Sequence, residues 1–347
     1  MMRNAMNIFD FKDCFRSLEE VGVDLVYEAG ARDFYDLTIV IPTYHRPSLL
    51  KRAIESAAAQ RTTKPYLILV VDNSEDEDIR RENETVVRGF RGASIKLYRN
   101  QKNVGMFGNW NRGIKLAEGD WLTILSDDDE LTPSWLDEVM DARQGPALVG
   151  VEAHIRGTFP ADGPVMRLWK GGRRLLSRRT KRELRPRDFY NGHPFMGTLG
   201  VLWNRRALLE LGGYDESLWP SADYAVSLKY FLRHGAIMIS RVLAYYHWGE
   251  NESANEGTRA GFRRIGALIR TSWLERAGIR PASLVSLLVA AQRASETWWA
   301  ALRFASPQAR FGRRLNIWVM AYGCRLIAVP VNRLACMLLS RSGGYDG

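Results

Sequence analysis

Trp121-Leu122-Thr123-Ile124-Leu125-Ser126-Asp127-Asp128-Asp129-Glu130 is an apolar strand that runs directly into four consecutive acids. Carboxylates so close together repel one another unless a cation sits among them. At the end of a buried strand, Mg²⁺ or Mn²⁺ suits that place, since these hard ions take oxygen ligands and keep positions for water and substrate phosphates. The plain alternative is a solvated acidic turn, and the flanking sequence bears on the choice.

Upstream, Leu37-Thr38-Ile39-Val40-Ile41-Pro42-Thr43-Tyr44 reads as a β-branched strand stopped by Pro42, and Pro47-Ser48-Leu49-Leu50 opens a helix running to about Gln60. Tyr66-Leu67-Ile68-Leu69-Val70-Val71 is a second apolar strand, ending in Asp72-Asn73-Ser74. A third, Ser94 to Tyr98, leads through Asn103-Val104-Gly105 to a helix from about Phe107 to Ala117. Strand and helix alternate at parallel-sheet spacing, and such sheets bind ligands outside the carboxyl ends of their strands. Tyr44, Asp72 and Asp127 to Asp129 all fall at that edge.

With these segments in view, the chain resembles the family two glycosyltransferases of the GT-A fold. The resemblance rests on Thr38 to Pro47 (TIVIPTYHRP), Val70 to Ser74 (VVDNS), Asn103 to Gly113 (NVGMFGNWNRG), Leu125 to Asp129 (LSDDD) and Gly212 to Asp215 (GGYD). Any one of these is weak alone; in this order over residues 37 to 255 they are highly specific. The resemblance implies an α/β fold, a GT-A (Rossmann-like nucleotide-diphospho-sugar transferase) domain with a basic helical C-terminal appendage. The expected division is 1–36 as an N-terminal extension, 37–256 as the catalytic domain and 257–347 as the helical region.

The implied chemistry assigns roles residue by residue. Donor binding falls to Pro42, Thr43, Tyr44, Arg46, Asp72, Asn103, Gly105, Asn109 and Asp127. Tyr44 offers a stacking face to the nucleobase and Asp72 an acceptor to its edge; the bland readings are a loop aromatic and a strand cap. Asp128 aligns with the metal-binding acid of the family's D-x-D signature and Asp127 with its neighbour, while Ser126 stands where the first acid often is. His247, after the strand ending Ala244-Tyr245-Tyr246, falls where many relatives place a ligand or phosphate contact, although a lone histidine is usually structural. Asp223, beyond the Gly212-Gly213 turn, aligns with the catalytic base; most relatives have Glu-Asp there, and here the first of the pair is Ala222. Its bland reading is a helix N-terminal acid favoured by the macrodipole. The implied cofactor is Mn²⁺ or Mg²⁺. The implied reaction is inverting transfer from a nucleotide-sugar donor, by default a uridine diphosphate sugar, to a glycan or lipid-linked glycan acceptor in cell-surface polysaccharide biosynthesis. A nucleotidyltransferase is the runner-up but would want a Gly-rich loop after the first strand, which Pro42-Thr43-Tyr44 lacks. An inactive nucleotide-sugar-binding or scaffold protein would be expected to have lost its acids, and Asp72, Asp127, Asp128 and Asp223 are present.

Charge adds an asymmetry. The formal net charge is +10, and residues 257–347 hold 14 Arg, no Lys and 3 acids, hence +11, leaving −1 for residues 1–256. The apolar run from Asn316 to Leu339 is broken by Arg325, Pro330 and Arg333, which favours a helix lying on a membrane surface over a span; a helix packed on the catalytic domain is the alternative. A second cluster, Arg167 to Arg187, places ten Lys or Arg in 21 residues and reads either as a border of the acceptor site or as a solvated loop. No nucleic-acid-binding motif accompanies the charge. Cys14, Cys324 and Cys336 show no ligand spacing or disulfide framework, and Met1 to Asp13 lacks a signal-peptide apolar stretch. The expected location is cytoplasmic, with peripheral contact on the inner face of an anionic membrane.

Overall fold

Strand β2, Leu37–Thr43, is buried at every residue, and its neighbours explain why. Leu37, Ile39 and Ile41 join an apolar cluster with Leu50 and Ile54 of helix α1 (Pro47–Ala58). Val40 joins the opposite cluster with Phe107 and Ile114 of α3 (Met106–Leu116). A parallel strand covered on both faces reads as a continuous apolar run rather than an alternation. The approach of α3 to β2 is close: a Cβ on Gly113 would lie 2.2 Å from Val40 Cγ1.

The chain then builds β3 (Tyr66–Asp72), α2 (Glu77–Arg88), β4 (Ile95–Asn100) and, after α3, β5 (Trp121–Ile124). The main sheet has the order β1-β4-β3-β2-β5-β9. Its four central strands are parallel, and β1 (Val23–Ala29) and β9 (Trp203–Asn204) close the edges antiparallel. From β2 the chain steps outward to β3 and β4, then returns to the other side of β2 with β5. Strand order therefore reverses between β2 and β5, and a crevice opens there at the carboxyl ends. The computed structural model describes residues 7–156, 181–249, 255–304 and 311–341.

A second sheet is organised on β10 (Ala236–His247), with β7 (Leu148–Arg156) parallel to it and β6 (Glu130–Leu131) and β8 (Lys181–Glu183) antiparallel. Helix α4 (Trp135–Asp141) lies between β6 and β7 of this sheet, α5 (Pro186–Tyr190), α6 (Arg205–Glu210) and α7 (Ala222–His234) lie on the chain between the two sheets, and α8 (Glu256–Arg276), α9 (Ala282–Phe304) and α10 (Phe311–Arg341) follow. The α/β fold and the helical C-terminal region are as expected, with element ends shifted by a residue or two.

Both ends of the chain are more integrated than their expected descriptions. Residues 1–36 were expected as an extension, yet β1 pairs along β4, and Ile8, Phe15 and Leu18 are buried in the main core. The expected boundary at 256 falls at the first residue of α8, a helix with Ile265, Ile269 and Trp273 buried. Among the described residues no helix is long and apolar enough to cross a membrane. Residues 167–180 of the basic cluster lie outside the described residues; Lys181 to Arg187 is within them.

Candidate active site

Beyond β2 the chain turns at His45, whose φ of 57° is a left-handed conformation that a non-glycine residue keeps only when its surroundings hold it. His45 N–H donates to Ser74 Oγ at 3.0 Å, and Glu75 N–H donates to His45 Nε2 at 3.3 Å. The imidazole stacks on the Tyr44 ring with centroids 4.2 Å apart, and Tyr44 is 43% exposed. Ser74 is fixed in its turn by Asp72, whose Oδ1 accepts from Ser74 N–H at 3.0 Å and from Asn83 Nδ2 at 3.1 Å. Arg99 Nε lies 3.4 Å from the other carboxylate oxygen. Asp72 is fully buried and turned toward α2, behind the Ser74–His45–Tyr44 turn.

Across the switch point, Thr43 Oγ1 donates to Asp127 Oδ2 at 2.8 Å, joining the end of β2 to the loop after β5. Arg46 Nη1 lies 3.1 Å from Asp128 Oδ2 and 3.5 Å from Asp127 Oδ1. Arg52 Nη2 donates to the Asp128 carbonyl at 2.7 Å. Asp127, Asp128 and Asp129 are all buried. Burial, and then the charge of Asp128 beside it, pushes the Asp127 carboxyl up to about 7. Burial also raises Asp128, with Arg46 opposing, and raises Asp129 well above the carboxylate range with Asp128 adding to the shift. Burial thus disfavours the charged form of all three carboxyls, a cost that a cation among them would offset.

That donor set fits a hard divalent cation. Among the described residues no three histidine, cysteine or carboxylate side chains converge as an ion cage. An ion at Asp127 and Asp128 would therefore complete its shell from water and substrate oxygens, a habit of Mg²⁺ and its kin. His247 was expected among the ligands; its Nε2 lies 2.6 Å from Glu130 Oε1 and its backbone N–H donates to Asp129 Oδ1 at 3.1 Å. Glu130, also 2.9 Å from Arg156 Nη1, claims the imidazole because β6 and β10 are adjacent strands.

The floor of the site is a run of amides. Asn109 Nδ2 donates to the Val71 carbonyl at 2.9 Å, and Asn100 Nδ2 donates to Asn109 Oδ1 at 2.9 Å and to Asn73 Oδ1 at 3.0 Å. Asn73 Nδ2 then donates to Asn103 Oδ1 at 2.7 Å, and that oxygen also accepts from Gly105 N–H. The network fixes the start of α3, where Gly105 takes a φ of 77°. Glu216 Oε2 accepts from Phe107 N–H at 3.2 Å at this same helix start, and burial raises its carboxyl.

Asp223 arrives from the other half of the chain. Gly212 and Gly213 adopt φ of 83° and 76°, where a Cβ would lie 2.1 Å from the Lys12 carbonyl and 2.5 Å from Asn111 Oδ1. Asn111 grips the next residue from both sides, donating to the Tyr214 carbonyl at 2.9 Å and accepting from its N–H at 2.8 Å. This turn delivers the first turn of α7, with Asp223 on it. His193 Nδ1 lies 3.5 Å from Asp223 Oδ2, His193 Nε2 lies 3.0 Å from Ser227 Oγ, and the ring stacks on Tyr224.

These parts face one cavity of about 890 Å³, toward the upper end of the ~300–1,000 Å³ usual for small-molecule sites. Of the expected residues, Pro42, Thr43, Tyr44, Arg46, Asn103 and Gly105 line it, as do Asn109, Asp127, Asp128 and Asp223; Asp72 and His247 do not. Sequence reasoning missed His193, Glu216 and the wall contributed by Arg259 and Arg263 of α8. Arg259 and Arg263 are one helical turn apart, a spacing readable as one face. Nothing in the sequence, however, says which way α8 turns.

Residues 38–210 match the sequence model of the family described as Glycosyl transferase family 2. A Campylobacter jejuni GalNAc(5)-diNAcBac-PP-undecaprenol beta-1,3-glucosyltransferase is 29% identical over 213 residues, 59% of this chain and 64% of the relative. The succinoglycan biosynthesis protein ExoO of Rhizobium meliloti is 24% identical over 274 residues, 73% of this chain and 76% of the relative. The chain thus spans just under two thirds of the first of these relatives and about three quarters of the second. In fold it is similar to S. aureus TarS 1-349 in complex with UDP-GlcNAc, with a TM-score of 0.57 at 17% identity over 90% of this chain and 88% of that one. It is also similar to the mannosyltransferase PcManGT from Pyrobaculum calidifontis in complex with GDP-Man and Mn²⁺, with a TM-score of 0.52 at 15% identity over 94% and 91%.

Proposed function

Because this chain belongs to glycosyl transferase family 2, we propose that it moves a sugar from a nucleoside diphosphate donor to a hydroxyl of a glycan or lipid-linked glycan, with inversion, in cell-surface polysaccharide or glycolipid synthesis. One observation carries the reading: the buried acids at the β2/β5 crevice and the carboxylate of Asp223, from opposite halves of the chain, line the same cavity.

In this reading Tyr44 presents its ring to the nucleobase, and the Asn73–Asn103–Asn109 network keeps the loop before α3 in place beside the donor. Asp127 and Asp128 would hold Mn²⁺ or Mg²⁺, which when bound supplies positive charge to the leaving diphosphate. Arg46, already on both carboxylates, keeps them from drifting apart. Asp223 takes the proton from the attacking hydroxyl, a contribution typically worth ~10²–10⁴-fold. His193, held by Ser227 and stacked on Tyr224, fixes the direction in which that carboxylate points. A single base on the acceptor side and a leaving group at the far end give one displacement, with no covalent enzyme intermediate.

A thermal-shift panel of uridine, deoxythymidine and guanosine diphosphate sugars, each with and without Mn²⁺, tests the donor reading. A ligand of the native state raises apparent stability. One nucleotide class should raise the melting temperature by several degrees with Mn²⁺ present, uridine diphosphate sugars being the first choice. No shift with any of them would remove the nucleotide-sugar reading.

A further inference from the structure

Asp127, Asp128 and Asp129 line the cavity, and so do Arg259, Arg263 and Arg270 of α8, with Glu296 as the acid beside Arg270. These arginines sit with Phe262 and Gly266 at positions that fall on one side of the helix. Gly261 sets how near that wall comes: a Cβ there would lie 2.6 Å from Pro220 Cδ, so α8 packs directly on the segment leading into Asp223. Arg270 is 1% exposed and its charge is answered by Glu296. Arg263 differs: among the described residues it has no hydrogen-bond, ion-pair or ring partner. An unanswered guanidinium on the wall of the cavity that also holds Asp223, carried by a helix packed on the segment leading into that residue, is a site for an anion.

We infer that the acceptor carries a phosphate ester, and that Arg263, with Arg259 one turn before it, binds that phosphate while Asp223 receives the proton of the acceptor's hydroxyl. This deepens the transferase reading and rests on it. The planar guanidinium can take two phosphate oxygens at once. Trp219, 39% exposed, and Phe262, 36% exposed, offer ring faces beside this wall for the sugar that bears the phosphate.

The test uses the full chain saturated with UDP and Mn²⁺, with N-acetylglucosamine 1-phosphate and unphosphorylated N-acetylglucosamine as calorimetric probes. The phosphate should improve affinity by at least ~10-fold, the lower end of a charge-assisted hydrogen bond. Arg263→Gln should abolish that preference, Arg264→Gln on the exposed side should keep it, and UDP affinity should be the same in all three proteins. Equal binding of the two probes by the wild type, or a preference that survives in Arg263→Gln, overturns the inference. A loss of UDP affinity in Arg263→Gln also overturns it, by moving the arginine to the donor diphosphate. Phosphatidylglycerol vesicles that displace the sugar phosphate would assign Arg263 to a lipid headgroup instead. Failure of the wild type to bind any of UDP, dTDP and GDP would strike the transferase reading beneath.

Discussion

Asp223 is held from two directions: its own carboxylate accepts from the Tyr224 N–H at 2.8 Å, and His193 stands 3.5 Å from its other oxygen. Asp223→Asn keeps shape and hydrogen-bonding capacity while removing basicity. Transfer, followed as acceptor-dependent release of nucleoside diphosphate, should fall by at least ~10²-fold with donor affinity unchanged. Near-normal transfer would take Asp223 out of the mechanism, and loss of donor binding would reassign it to the donor pocket. At this scale the sequence was informative about position and silent about direction. The strand-end rule located Asp127 and Asp128, the family resemblance added Thr43, and they meet at the crevice. It located Asp72 equally well, but the carboxylate points to Asn83 and Arg99, because a polar neighbour on α2 and a cation on β4 satisfy it inside the protein. His247 was likewise placed after the right strand, and its partner Glu130 comes from a two-residue strand that has no periodicity to read.

At the scale of elements, the alternating apolar runs and helices foretold the parallel strands, since a strand buried on both faces has a plain sequence signature. The edges were less legible. β1 reads Val23-Asp24-Leu25-Val26-Tyr27-Glu28-Ala29, half exposed and charged, and only its pairing with β4 makes it part of the sheet. Helix α8 was counted with a tail, and it is a wall of the site. Helix α10 turns Ala328, Ala335 and Leu339 inward and leaves Leu326 and Ile327 at 76% and 66% exposure, with Leu334, Met337 and Arg333 also outside. An apolar face with a flanking arginine, on a region of net positive charge, suits a peripheral seat on anionic lipid. Replacing both Leu326 and Ile327 by Gln should weaken sedimentation with phosphatidylglycerol vesicles while leaving the melting temperature nearly unchanged. Equal sedimentation of the double variant and the wild type would contradict a membrane role for this face. Removing residues 257–347 would be a poor substitute, because it would also strip the cavity of α8.

In the molecule as a whole, an acidic crevice at the reversal of a parallel sheet, the Asp223 carboxylate and a basic helix from the second half line one cavity. The excess positive charge of residues 257–347 reaches that cavity through Arg259, Arg263 and Arg270. The central claim is that the buried carboxylates at Asp127 and Asp128 bind the donor through a divalent ion. Calorimetric titration of UDP into the full chain, with and without Mn²⁺, in the wild type and in Asp128→Asn, tests it most directly. Mn²⁺ should tighten UDP binding by at least ~10-fold in the wild type, as one strong electrostatic contact would, and Asp128→Asn should erase the difference while still folding. Equal UDP affinity with and without Mn²⁺ in the wild type would contradict it.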